Sequence, residues 1–306
     1  MIRTIFFIVL FLLLLLTTQN PVKTEVHIPS RSNAFRIASF LQKKGILKRK
    51  NLFLLTVNFF HLDKKLKFGD YRMYLNQPIY SLINLLKKGS NFLIKVTIPE
   101  GFRAEQIAQC LSDAGIVERE EFLEYVKKNK LEGYLFPETY FFSRNMKVED
   151  VAKAFLKQFN RVFTEELKTK AKEHNLTPHQ AVILASIIER EAKTKEEKFL
   201  ISGIFHNRLK KRWRLESCAT VRYALKKWKA PLSIEDTYVK SPFNTYRHFG
   251  LPPAPISNPG ADSLIAAVSP KKTDLMFFVV SSSGTHKFSR YFKDHIRAKW
   301  MRKRKK

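Results

Sequence analysis

Two stretches of this chain, residues 26–46 and 96–116, repeat one another at a fixed offset of 70 residues. Val26, Ile28, Pro29, Ile37, Ala38, Leu41, Gly45 and Ile46 recur as Val96, Ile98, Pro99, Ile107, Ala108, Leu111, Gly115 and Ile116. Each copy opens on alternating apolar residues, the period of a strand, then places apolar residues at helical spacing (Ile37/Leu41, Ile107/Leu111) and closes with Gly. The reading is a strand–turn–helix unit used twice, with Pro99-Glu100-Gly101 turning the second copy into its helix. Two copies are too few for a solenoid. Leu52–Phe60 and Tyr71–Leu75 read as further strand-like runs. The pattern resembles the small βα modules of LysM type that grip glycan chains; a plain packing spacer is the alternative.

Ahead of the first copy, Ile5–Leu16 is an unbroken run of 12 apolar residues preceded by Arg3. That is short of the roughly 20 residues of a membrane span and close to a signal-peptide core. The TTQNPVKTEV that follows lacks a small-residue cleavage pattern, so a retained anchor over 1–20 is expected, with Arg3 on the cytoplasmic side and the rest of the chain exported. Formal net charge is +29, from 56 Lys+Arg against 27 Asp+Glu, with the densest block at 297–306. Such an excess attracts anionic partners, whether nucleic acid, anionic lipid or cell wall. Export removes nucleic acid from that set. Cys110 and Cys218 have no metal-ligand spacing and read as free thiols; neither a metal site nor a cofactor is expected.

Helical periodicity covers 104–114, 118–129 and 148–175, and Gly133 and Pro137 make 131–140 an ordered connection. Asp274–Ser281 reads as a buried strand, with a Ser-Gly turn and His286–Phe288 as its hairpin partner. The fold class is therefore α+β. Its expected parts are an anchor (1–20), a LysM-like βα region (21–125), a mixed α+β catalytic domain (126–296) and a basic tail (297–306).

The chemistry concentrates on one helix. Thr177-Pro178 supplies an N-cap and a first-turn proline, and Gln180–Glu191 is nearly all apolar until Glu189. Desolvation disfavours the charged form of a carboxylate in that setting, which suits a general acid. Glu189 and Glu191 diverge by about 200° around the helix, so only one of them can face a cleft. A buried glutamate paired with Arg190 or Arg208 is the plainer alternative.

The strings LEGYLFPETY (131–140), LASIIEREA (184–192), IFHNRL (204–209), LESCATVRYAL (215–225), SPFNTYRHFGLPPAPISNPG (241–260) and AVSP (267–270) occur here in order. In them the chain resembles the MltG/YceG-like family of endolytic murein transglycosylases over nearly its whole length. The resemblance implies cleavage of the bond between N-acetylmuramic acid and N-acetylglucosamine in nascent peptidoglycan strands. No water is added, and a 1,6-anhydro end is left. It implies Glu189 as the catalytic acid/base, with Glu191 the second choice. Peptidoglycan synthases are the implied partners, at the outer face of the inner membrane. One carboxylate suffices on this route because the attacking hydroxyl belongs to the substrate, whereas ordinary glycosidases need two. Asn207, Glu216, Asn244, Thr245 and Tyr246 are expected to bind substrate, and Tyr246 and Tyr140 suit stacking on sugar rings. The family's pattern carries Gln and an Asp-Pro pair around 216–219, where this chain has Glu216-Ser217-Cys218-Ala219. A non-catalytic wall-binding scaffold is the alternative function.

Overall fold

In the computed structural model, which describes residues 22–29, 32–89, 92–281 and 284–304, strand β1 (Lys23–Ile28) leads into helices α1 (Ala34–Lys43) and α2 (Lys50–Phe59). Strand β2 (Gly69–Tyr74) and helix α3 (Ile79–Lys88) follow. The expected anchor lies outside the described residues. Among those residues no helix is long and apolar enough to cross a membrane. β1 and β2 pair antiparallel with Val26 opposite Tyr71 and Ile28 opposite Gly69. Alternate residues of both strands then face the side chains of the helices, and Val26, Ile37, Leu41, Phe53, Val57, Tyr71, Met73 and Leu82 form one core.

Leu52–Phe59, read as part of a strand-like run, is helical and lies in α2. Phe53 and Val57 are fully buried four residues apart, while Leu52, Leu55 and Phe59 are exposed. A short apolar run does not choose its own period, and the core it meets decides. Tyr71–Leu75 coincides with β2 almost to its end.

The repetition extends beyond what identities revealed. Strand β3 (Ile94–Thr97), helices α4 (Ala104–Asp113) and α5 (Arg119–Lys128), strand β4 (Thr139–Phe142) and helix α6 (Val148–Val162) copy the order β1-α1-α2-β2-α3. The loop between the first two helices is one residue shorter in the second copy, so the offset changes from 70 to 69. Phe122 and Val126 are buried where Phe53 and Val57 are. The Tyr71 and Tyr140 hydroxyls each donate to the carbonyl four residues back, at 2.7 Å. Asn76 and Asn145 adopt the left-handed backbone (φ 56° and 50°) that asparagine tolerates. Their N–H groups donate to the carbonyls of Gly45 and Gly115. Local hydrogen bonding and core positions are duplicated even where sequence identity has gone.

The chain forms two compact units, one comprising residues to 94 with 141–144, the other 95–140 with the remainder. In the second unit, helices α7 (Glu165–Glu173), α8 (Pro178–Glu191), α9 (Lys195–Lys210), α10 (Cys218–Leu225) and α11 (Ala261–Val268) precede the antiparallel hairpin β5 (Phe277–Val280) and β6 (His286–Ser289) and the last helix α12 (Phe292–Arg304). α8 begins as its sequence requires. Thr177 Oγ1 accepts from the Gln180 N–H at 3.2 Å, the Gln180 side chain accepts from the Thr177 N–H at 2.8 Å, and Pro178 fills the first turn. Every residue from Ala181 to Ile188 is buried, making α8 the central helix of this core. The hairpin appears where the apolar run and the Ser-Gly turn placed it, and the basic stretch from 297 continues the last helix as far as Arg304.

Phe53→Ala is expected to destabilise the first unit by about 3–5 kcal/mol through loss of a fully buried ring. Leu55→Ala, on the open side of the same helix, should stay within about 0.5 kcal/mol. Denaturant unfolding of the two variants measures both.

Candidate active site

The two glutamates at the end of α8 go to different places, as their 200° separation requires. Glu189 turns inward. Its side chain is 8 % exposed and its oxygens accept from Lys198 Nζ at 3.2 and 3.3 Å, the Gly260 N–H at 3.0 Å and Ser263 Oγ at 2.7 Å. Lys198 also reaches Glu100 at 3.1 Å. Burial alone would push the Lys198 ammonium down, but the carboxylates of Glu189 and Glu100 hold it above its ordinary value. Gly260 leaves room for the Glu100 side chain, which would have to move if residue 260 carried a Cβ, since that Cβ would lie 1.9 Å from Glu100 Oε1. Glu189 thus ties α8 to α9, to the start of α11 and, through Lys198, to the turn at 99–101.

Glu191 turns toward an open pocket. Its Oε1 accepts from the Ala219 N–H at 3.1 Å and from Ser217 Oγ, both at the start of α10. The pocket is lined by Glu191, Arg103, Arg190, Arg222, Tyr223 and Trp228, with Cys218, Ala219 and Ile256 completing it. Arg103 lies 3.4 Å over the Trp228 ring and is paired with Glu105 at 3.2 Å. Arg222 donates to the carbonyls of Lys227 and Ala230. Burial, then the neighbouring charge of Arg103, lowers the Arg190 guanidinium from its ordinary value. The pocket therefore sets one carboxylate among three cations and two aromatic faces.

Of the remaining expected residues, Glu216, Asn244, Thr245 and Tyr246 gather around the start of α10, which holds Glu191. Thr245, fully enclosed, receives the Ser217 N–H on Oγ1 at 3.0 Å and lies 2.9 Å from Thr220 Oγ1. Asn244 is buried and spends its amide on the carbonyls of Thr237 and Val239, and its Oδ1 on the Tyr246 N–H. The Tyr246 hydroxyl sits 3.3 Å from Cys218 Sγ, and burial pushes both groups up. Glu216 adopts a left-handed backbone (φ 49°), donates its N–H to Thr245 O, and meets Arg208 Nη1 at 3.4 Å. Asn207 is directed elsewhere, donating to the carbonyls of Thr273 and Leu275 at 2.9 and 3.1 Å, where it braces the approach to β5. Tyr140 belongs to the core, its ring 4.4 Å from Phe155. His286 is 2 % exposed and paired with Glu197 at 2.8 Å.

Several participants carried no signal of their own. Asn258, fully buried, accepts from the Gly133 and Leu135 N–H groups and donates to Phe102 O and Glu132 Oε1, so one amide stitches 101–102 to 131–135. Glu132 also accepts from the Ala104 N–H at the start of α4. Burial pushes its carboxyl up to about 7, against those hydrogen bonds. Both residues lie inside the long motif strings, which marks them without assigning a role. Lys198, Arg103, Arg222 and Trp228 become visible as a group only through the fold.

Comparison with known proteins follows this geometry. The family model for the YceG-like family matches residues 26–300. The chain belongs to the YceG-like family. Among curated YceG-like relatives, the endolytic murein transglycosylase of Bacillus subtilis is 33% identical over 302 residues, covering 90% of this chain and 83% of its own. The endolytic murein transglycosylase of Streptococcus pneumoniae serotype 2 is 28% identical over 89% of this chain and 57% of its own. A crystal structure of the yceG-like protein lmo1499 from Listeria monocytogenes aligns with a TM-score of 0.60 at 28% identity, covering 90% of this chain and 98% of that one. Pocket, both glutamates and their supports all fall within the residues that the YceG-like model matches.

Glu189→Ala leaves the Lys198 ammonium with Glu100 alone and is expected to cost about 3–5 kcal/mol in denaturant unfolding. Glu191→Gln retains a carbonyl oxygen for Ala219 and Ser217 and should change stability much less. Glu132 adds a pH dependence. Its folded value near 7 lies above its ordinary 4.5, so the folded chain holds a proton that the unfolded chain loses in that window. Its contribution is full below about 4.5 and is lost as pH rises to about 7. Thermal melts across that range should show the decline in the parent and a flatter profile in Glu132→Gln.

Proposed function

We propose that this chain is a lytic transglycosylase of murein, with Glu191 as the acid/base and Glu189 as the strut that aims it. The observation that carries the assignment is the placement of the two carboxylates. Glu191 reaches the pocket wall, whereas Glu189 is spent on Lys198, Gly260 and Ser263. The family resemblance had favoured Glu189 of the pair; the hydrogen bonding favours its neighbour.

On this reading the protonated Glu191 gives its proton to O4 of the departing N-acetylglucosamine as the bond to C1 of N-acetylmuramic acid breaks. The carboxylate so formed takes the proton from the muramyl C6 hydroxyl as that oxygen closes on C1. Proton and bond counts balance without water, and the product is a 1,6-anhydro end. Tethering the nucleophile to the reacting ring supplies the orientation that a second carboxylate supplies in hydrolytic glycosidases. Ala219 N–H and Ser217 Oγ fix the carboxylate's position through both steps. Glu216 and Tyr246 beside it, with Asn244 and Thr245 holding the loop, are the proposed saccharide-facing edge. The arginines suit the acidic peptide-bearing face of the polymer.

The first unit is proposed as the glycan-gripping module of LysM type, because its helices α1 and α2 lie in the chain between a pair of antiparallel strands. Residues 1–20 are proposed as the anchor, which puts the enzyme at the outer face of the inner membrane, near the synthases whose strands it ends.

Purified murein incubated with the parent, Glu191→Gln and Glu189→Gln proteins tests the assignment. Glu191→Gln should lose about 10²–10⁴-fold or more of the anhydro-product rate with its fold intact, as expected for a general acid/base. Glu189→Gln should be less stable yet measurably active. A folded, active Glu191→Gln beside a folded, inactive Glu189→Gln reverses the roles, and a parent that binds murein but releases nothing favours the scaffold reading.

A further inference from the structure

The duplicated fold contains its own control for surface composition. Helices α2 and α5 occupy the same place in the two copies and share burial residue by residue, with Phe53 and Val57 matched by Phe122 and Val126. Their open faces differ completely. Leu52, Leu55, Phe59 and Phe60 are 46 to 78 % exposed, and the same positions in α5 are Glu121, Glu124, Lys128 and Asn129. Phe35 and Tyr80, also exposed, correspond to Glu105 and Glu149. The backbone evidently accepts charge at these sites, so packing within the copy does not require the leucines and phenylalanines. Contiguous apolar surface of this kind on a soluble face marks an interaction site.

Charge indicates the partner. Residues 43–67 contain eight Lys and Arg and one Asp, whereas the matching stretch 113–136 contains four and six Asp and Glu. Lys48, Arg49, Lys64 and Lys65 are exposed and flank α2 in the chain. Leucine and phenylalanine projecting from a helix flanked in the chain by cations fit the boundary between acyl chains and anionic head groups. Six residues separate the apolar run ending at Leu16 from β1, a reach of about 20 Å at full extension.

We propose that the exposed face of α2 docks on the surface of an anionic phospholipid bilayer, holding the first unit against the membrane from which the chain is proposed to project. The proposal goes beyond the catalytic assignment and does not depend on which glutamate transfers the proton.

The test uses the full chain, with Cys110 and Cys218 replaced by Ser, reconstituted into phosphatidylglycerol/phosphatidylcholine vesicles. An environment-sensitive dye is placed at Leu55→Cys or, as the matched control, at Glu124→Cys. The dye at 55 should be quenched several-fold more by nitroxide-labelled lipid than the dye at 124, and should be shielded from aqueous iodide. Vesicles of phosphatidylcholine alone should weaken that quenching, as should Leu52→Glu, Phe59→Lys and Phe60→Asn together. Those three residues occur on the same backbone in the second copy, so a thermal melt should confirm folding. A dye at 55 open to iodide overturns the proposal. Shielding without lipid quenching also overturns it, by assigning the face to a protein neighbour or a second copy.

Discussion

Glu189 sets one carboxylate against an ammonium, a backbone N–H and a hydroxyl, inside the second unit where water competes little for any of them. Breaking such a buried pair leaves an uncompensated charge, so the pairing fixes the rotation and the end of α8 rather firmly. Because α8 is a regular helix, fixing Glu189 fixes Glu191 about 200° away. The start of α10 receives that second carboxylate on Ala219 and Ser217. Gly260 and Glu100 close the arrangement, since the Glu100 side chain that meets Lys198 occupies the space a Cβ at 260 would take. In this account the structural glutamate and the chemical one are distinguished by what each accepts from, not by which is more apolar in setting.

Much of the framework was legible in the chain. Thr177-Pro178 and Gln180 specify a helix start through local hydrogen bonds alone, and α8 begins there. The Ser-Gly turn after an apolar run specified the last hairpin, again from neighbouring residues. Legibility failed where distant partners decide. Leu52–Phe60 is mostly apolar without a clear period of its own, and the core that receives Phe53 and Val57 imposes the helical one. The apolar stretch before Glu189 suggested a cleft acid; it gave no sign of Lys198, nine residues on, or of Gly260 and Ser263, more than seventy on, which hydrogen-bond that carboxylate. Asn207 looked like a sugar ligand by its place in a motif, but a brace for the backbone before β5 uses the same amide.

The two copies show how far a surface can change while its interior stays the same. Phe, Val, Tyr and the left-handed Asn are retained where packing and backbone geometry demand them. The turn after the strand has been put to use in the second copy, where Glu100 meets Lys198 and Gly101 N–H meets Asn258 O. One copy is joined through Lys198 to the helix that carries the two glutamates. The other kept the fold and acquired a cationic, apolar exterior.

The proposed chemistry rests on an internal nucleophile, and oxygen isotope labelling addresses that proposal directly. Murein digested in H₂¹⁸O and analysed by mass spectrometry should give new muramyl ends in the 1,6-anhydro form with no ¹⁸O incorporated. Reducing ends carrying ¹⁸O at C1 would show that water is the nucleophile, which contradicts a mechanism resting on Glu191 alone.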